Sequence, residues 1–216
     1  MLAIAQMHID RANVQLTPTR AITRAALLDA AERLLGRVGY AHTTMEAIAA
    51  EAGVARRTAY LYFDGAEEVI LGTVDRVVDR VAESLRELAA APSPAAARLQ
   101  RMLVARVMVR FDAVHAYHQA LDELLAALRP AVLERRRAYF TVEAALLARV
   151  LGQGARAGEL RVARPRATAD VLLLCTNALL PHGLSAAEIA DRALTARRAR
   201  AVAALLVDGI RRPQGG

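Results

Sequence analysis

Residues 43–63 read TTMEAIAAEAGVARRTAYLYF. Thr43-Thr44-Met45-Glu46 has the form of a capping box, with Thr43 at the N-cap and Glu46 three residues on. The spacing predicts a short helix from there to Gly53. Gly53 stands where a tight turn needs positive φ, and Val54 is the apolar residue to plug the small core beneath it. A second short helix follows over about Ala55 to Tyr62. Two short helices joined by a tight turn are the helix-turn-helix layout, in which the second helix enters the DNA major groove. The chain has five tyrosines and three phenylalanines, and three of these eight rings, Tyr60, Tyr62 and Phe63, crowd beside Arg56 and Arg57. A helix end docked on a core explains Phe63 and Ala59. It does not explain the arginines. Arg pairs bidentately with guanine O6 and N7, so Arg56 and Arg57 are candidates for base reading. Thr44, Thr58, Tyr60 and Tyr62 offer hydroxyls to phosphates. Thr43, Met45 and Leu61 complete the expected DNA-facing set.

Helical periodicity continues on both sides, and no segment alternates as a strand would. Upstream, Leu27, Ala30, Ala31, Leu34, Leu35 and Val38 form one stripe, with Thr23 as N-cap and Gly39 as the stop. Downstream, Asp64 or Gly65 caps a long helix that opens with Glu67 and Glu68, acids suited to a positive helix end, and that closes near Ala91. Pro92 and Pro94 mark a break. Further helices are expected over Pro94 to Phe111 and Ala113 to Leu128. Another is expected from Pro130, at its first turn, to Gly152 or Ala157. One more should run from Arg166 to before Pro181, and Ser185 with Glu188 should open a last helix to Gly209. The fold class is all-α with about nine helices. Residues 1–18 are expected to be a disordered arm, 19–66 the helix-turn-helix unit, 67–210 a second helical domain and 211–216 a disordered tail.

Composition narrows the function. The 216 residues carry 29 basic groups, all arginine, against 22 acids, for a net charge of +7. Residues 1–64 hold seven arginines and six acids, whereas residues 91–164 hold twelve and six. The basic excess therefore lies outside the stretch that would read DNA, and net charge alone is a poor argument for nucleic-acid binding. No apolar run reaches the roughly 18–20 residues of a membrane span. The N-terminus lacks the features of a signal peptide, so a cytoplasmic location is expected. The single cysteine, Cys175, agrees with a reducing compartment and reads as a small buried hydrophobe.

Residues 23–70 resemble the DNA-binding head of TetR-family bacterial transcription regulators. The matching features are Gly39-Tyr40, Thr43-Thr44, Ile48-Ala49, Ala52-Gly53-Val54, Thr58, Tyr60, Tyr62-Phe63 and Glu67-Glu68. The chain departs from the family pattern at Ala55, where the recognition helix commonly has a Ser or Thr cap, and at Ala66, where Lys is common. The resemblance implies a homodimer on a pseudo-palindromic double-stranded operator. It also implies a small-molecule effector bound in the second domain, repression more often than activation, and no cofactor. The dimer would form through the last two long helices. Leu172, Cys175, Leu179, Leu194, Val202 and Leu205 are the candidate interface residues.

In the second domain, Met102, Arg106, Arg110, Phe111, His115, Tyr117, His118, Tyr139, Phe140 and Glu143 are candidates to line a cavity of mixed polarity. Such a cavity suits a ligand with an apolar body and an anionic or hydrogen-bonding group. Core packing is the competing explanation for each of them. His115, His118 and Asp122 share one helical face, but three ligands from one short helix are weak grounds for a metal, and none is expected. An α-helical enzyme is the alternative class. Against it, the chain has no G-x-S-x-G, Walker A, H-E-x-x-H or G-x-G-x-x-G. A purely structural adaptor leaves the Arg-Arg-Thr-x-Tyr-x-Tyr pattern unexplained.

Overall fold

The computed structural model describes residues 18–212. Among them nine α-helices follow one another: α1 Pro18–Val38, α2 Met45–Glu51, α3 Arg56–Ala59, α4 Ala66–Ala90, α5 Ala95–Val114, α6 Leu121–Arg156, α7 Pro165–Thr176, α8 Ala186–Ala190 and α9 Arg192–Ile210. The expected arm lies outside the described residues except at Pro18, which already opens α1. The expected tail is outside them beyond Arg212. Arg211 and Arg212 are ordered, because Arg212 N–H donates to the Glu159 carbonyl at 3.0 Å and Arg211 bridges Leu160.

The first three helices close a small core of their own. Leu27, Leu28, Ala30, Ala31 and Leu34 of α1 pack on Met45, Ile48 and Ala49 of α2, on Ala59 of α3 and on Phe63. Two glycines carry the turns between them, Gly39 at φ 79° and Gly53 at φ 68°, where a side chain would be strained. Val54 packs partly against the same core. The capping differs from the expected pattern by one residue. Thr44, not Thr43, is the N-cap of α2, and its Oγ1 accepts from Ala47 N–H at 3.2 Å. Thr43 turns inward and donates to the Gly39 carbonyl at 2.7 Å. Thr23 is no cap either, since α1 starts five residues earlier and the Thr23 hydroxyl donates back to Thr19 O.

Ala55 precedes α3 in an extended conformation, φ −64° and ψ 142°, with no side chain to cap the helix. Ala55→Ser supplies an oxygen for the free N–H groups of that first turn. It should raise stability by about 0.5–1 kcal/mol, read as a higher urea midpoint at unchanged slope.

The remaining helices form the larger body. α5 packs between α4 and α9, and α6 against α7. Leu85, Leu99, Met102, Leu103, Leu147, Leu151, Leu172 and Val207 make one continuous core. The segment 113–128, expected as its own helix, is a 3-10 turn over His115–Ala120 followed directly by α6. Pro130 sits inside α6 rather than at a helix start. It removes one N–H bond, yet the helix continues because both flanks are buried, Leu124 and Leu128 before it and Ala144 and Leu147 after it. The capping box at Ser185 and Glu188 forms as expected but opens only five residues. Asp191 then breaks the chain and caps α9 through Leu194 N–H at 2.8 Å.

Candidate nucleic-acid interface and internal cavity

α3 presents a polar outer face over a locked inner one. Ala59 is wholly buried and Phe63 nearly so. Arg56, Arg57, Tyr60 and Leu61 are exposed, and Thr58 and Tyr62 are half-buried. Arg56 is not free. Its Nη2 meets the Glu46 carboxylate of α2 at 2.6 Å, and its guanidinium lies over the Tyr60 ring at 5.6 Å. The Tyr60 hydroxyl first, and Glu46 second, hold Arg56 above the usual guanidinium range. The pair bridges α2 and α3 in the geometry that would face a groove. The sequence holds a trace of it: once Thr44 is the cap, Glu46 is freed from the box and available to Arg56.

Two of the expected contacts have buried side chains. Thr43 is 4% exposed with its hydroxyl bonded to the Gly39 carbonyl, and Met45 is 3% exposed and part of the small core. Thr44 stays exposed at the α2 N-terminus. The head is braced on its far side, where Glu51 accepts from Arg33 at 2.8 Å and Arg37 at 2.6 Å. Arg76 of α4 reaches Asp29 at 2.5 Å and Glu32 at 2.7 Å on α1.

In the body a cavity of about 130 Å³ opens between α4, α5, α6 and the turn before α8. Val74, Val77 and Val78 of α4, with Val114, Leu124 and Val132, form its apolar walls. Arg110, Arg136, Phe140, Leu180, Pro181 and His182 line it as well, with Arg136 lying over the Phe140 ring and His182 within the field of Arg136 and Arg110. Tyr117 and Tyr139 complete the lining. Tyr139 donates its phenol hydrogen to Asp75, and burial first, then that carboxylate, drives its pKa well up.

Of the ten residues expected here, Arg110, Tyr117, Tyr139 and Phe140 line the cavity. Met102 and Phe111 are wholly buried in the core instead. Arg106 and Glu143 are not part of the lining and form a buried pair, Nε to carboxylate at 2.6 Å. His115 faces outward, with Nδ1 3.2 Å from the Ile189 carbonyl, and His118 turns back to the His115 carbonyl at 2.8 Å. Among the described residues no cluster of three His, Cys, Asp or Glu side chains is placed to hold a metal ion. The α4 valines, Arg136, His182 and the remaining apolar lining residues are not among the expected ones. The valines read as ordinary core, and His182 comes from a turn far along the chain.

Cys175, expected to be buried, is exposed. It shares the outer face of α7 with Val171, 54% exposed, and Leu174, 67% exposed, and Leu205 on neighbouring α9 is 76% exposed. Leu172 and Leu179 point the other way and are spent in the chain's own core. Leu194 and Val202 are half-buried. No helix is long and apolar enough to cross a membrane among the described residues.

Residues 27–72 match the family model described as bacterial regulatory proteins, tetR family. The chain is 35% identical over 92 residues to the HTH-type transcriptional regulator BetI of Rhizobium meliloti (strain 1021), a match covering 43% of each protein. The match thus spans less than half the length of this curated relative. A TetR transcription regulator from Haloarcula marismortui ATCC 43049 shares the fold at a TM-score of 0.70 and 21% identity, over 88% of this chain and 98% of the other. The structure of a SmeT–triclosan complex aligns at a TM-score of 0.64 and 21% identity, over 88% of this chain and 92% of that one. At such identities these structures establish a common fold.

Proposed function

We propose, from the match of residues 27–72 to the family model described as bacterial regulatory proteins, tetR family, that the chain is a homodimeric, sequence-specific DNA-binding repressor released from its operator by a small molecule. Residues 19–66 would be the reading head and 67–210 the effector and dimer body. The observation that carries the reading is the two-sided character of α3: Ala59 and Phe63 are locked inward while Arg56, Arg57 and Tyr60 stand in solvent. A helix serving only as core would not keep two arginines and a tyrosine outside. The relatives are transcriptional regulators, and the enzymatic alternative is set aside on that ground.

The head is close to neutral, so its affinity rests on the placement of a few donors and helix ends rather than on a basic field. In this reading Arg56 reads a guanine, with Glu46 holding it in a groove-ready pose. Arg57, Tyr60 and Tyr62 take phosphates, joined by Thr44 at the α2 N-terminus. A mobility shift on the DNA upstream of the chain's own gene, repeated across salt, tests the proposal. Binding should prefer a pseudo-palindrome and weaken steeply with salt as counterions are released. Absence of any sequence preference overturns it. Arg56→Ala should cost about 1–3 kcal/mol of operator affinity and relax the preference at one base pair per half-site. A uniform loss across all sequences would instead assign Arg56 to a phosphate.

The effector reading is supported by the cavity of about 130 Å³ and by the fold shared with SmeT, whose structure was solved as a triclosan complex. The dimer reading is supported by the exposed face of Val171, Leu174, Cys175 and Leu205.

A further inference from the structure

The charges around the cavity are unequal. Arg106, Arg110 and Arg136 come together at one end, where Arg106 and Arg136 both lie over the Phe140 ring, at 5.0 and 4.7 Å. Among the described residues, Glu143 is the one carboxylate in ion-pair reach of Arg106 or Arg110, and none reaches Arg136. The buried pair uses Glu143 completely: one oxygen takes Arg106 and the other takes Arg110. Arg110 and Arg136 both line the cavity, so an excess of positive charge faces it. Asp75, which meets the lining residue Tyr139, is already engaged by that hydroxyl and by Arg135 at 3.4 Å.

We infer that the cavity binds an amphipathic carboxylate, with its anionic head between Arg110, Arg136 and His182 and its apolar body along the α4 valines, Leu124 and Val132. Arg136 is half-buried and has no counter-charge among the described residues, and a ligand carboxylate supplies that charge together with the bidentate geometry a guanidinium favours. An alcohol of the same shape supplies neither charge nor a second acceptor oxygen. An amine adds repulsion to a site that already has too many cations. His182 is in keeping with this. Partial burial first, and then the charges of Arg136, Arg106 and Arg110, hold its pKa below the usual histidine range. An anion bound beside it would offset the positive charge it now feels.

This inference rests on the effector reading of the same cavity; ligand binding is measured without DNA, and operator affinity separately, so that the two can fail separately. Titration calorimetry on the full chain would compare octanoate, 1-octanol and octylamine, and in parallel 4-phenylbutyrate, 4-phenylbutanol and 4-phenylbutylamine. At least one carboxylate should bind roughly tenfold or more tighter than its alcohol and amine partners, the difference a charge-assisted hydrogen bond supplies. Arg136→Gln should erase that preference while retaining the alcohol's affinity, and Arg136→Lys should restore part of it. Arg136 makes no hydrogen bond or ion pair among the described residues and stacks on Phe140 alone among the aromatic rings, and an unchanged melting temperature for Arg136→Gln would show that the fold is spared. No binding of either carboxylate at millimolar concentration, or binding of the alcohol or amine as tight as the acid, overturns the inference. Carboxylate binding that leaves operator affinity unchanged upholds the anion site and overturns the effector reading instead.

Discussion

Glu143→Ala is expected to cost about 3–5 kcal/mol of folding stability, the range for breaking a buried ion pair on one side. The arginine it abandons is wholly enclosed. Arg106 donates Nε to Glu143 at 2.6 Å, Nη1 to Thr176 Oγ1 at 2.6 Å and Nη2 to Asn177 Oδ1 at 2.8 Å. These bonds join α5, α6 and the end of α7 at one point. Burial pulls Arg106 down to about 10, with Glu143 opposing that fall, so it remains charged at neutral pH. With the carboxylate gone, Arg106 and Arg110 repel across a dry gap. Urea unfolding followed by circular dichroism measures the loss. Arg106→Met combined with Glu143→Leu should recover most of it, because an apolar pair of similar volume avoids the desolvation cost altogether. A loss below about 1 kcal/mol for Glu143→Ala, the value of an exposed pair, would mean that water reaches the site.

A larger functional effect is expected at the exposed apolar face. Leu174→Glu with Leu205→Glu places two carboxylates where two copies would meet, and their repulsion and desolvation should leave a folded monomer. Both side chains are more than half exposed in the single chain, so the fold itself should tolerate the change. Sedimentation or light scattering would read the mass. Operator affinity should fall by about 10²-fold or more, since tethering two heads converts the second half-site into an intramolecular encounter. A variant that remains dimeric would place the interface elsewhere. One that becomes monomeric with unchanged affinity would mean that each head binds alone.

Periodicity made the helices legible because most of them bury one stripe, and the head was legible residue by residue because its turn chemistry is local. Gly39 and Gly53 have positive φ for the reason their positions suggested. Three misreadings share a cause. Thr43 and Thr44 are equally good caps in isolation, and the choice of Thr44 follows from Thr43 being drawn into the core to bond Gly39. Pro130 is a plausible helix start until the burial of Leu124 and Leu128 on its upstream side carries the helix through it. Leu172 and Cys175 lie on one helix, three residues apart, yet one faces the core and the other solvent. An apolar run such as Val171 to Cys175 does not say which arc belongs to the chain and which to a partner. The cavity was the least legible feature. Its polar end joins α5, α6 and a turn past α7, and no local pattern records that meeting.

Tyr117 and Leu124 line the cavity, and they also belong to the cluster that seats Leu35 of α1 and Ile70 of α4, with Tyr40 packed beside them. The cavity wall and the seat of the head are thus the same side chains. Leu180 belongs instead to the cluster around Ile189 and Ala196 and makes no part of that seat. Under the proposed effector role, a change at Tyr117 or Leu124 would alter ligand fit and head position together. Changes around Leu180 would retune what the cavity accepts while leaving the seat of the head where it was.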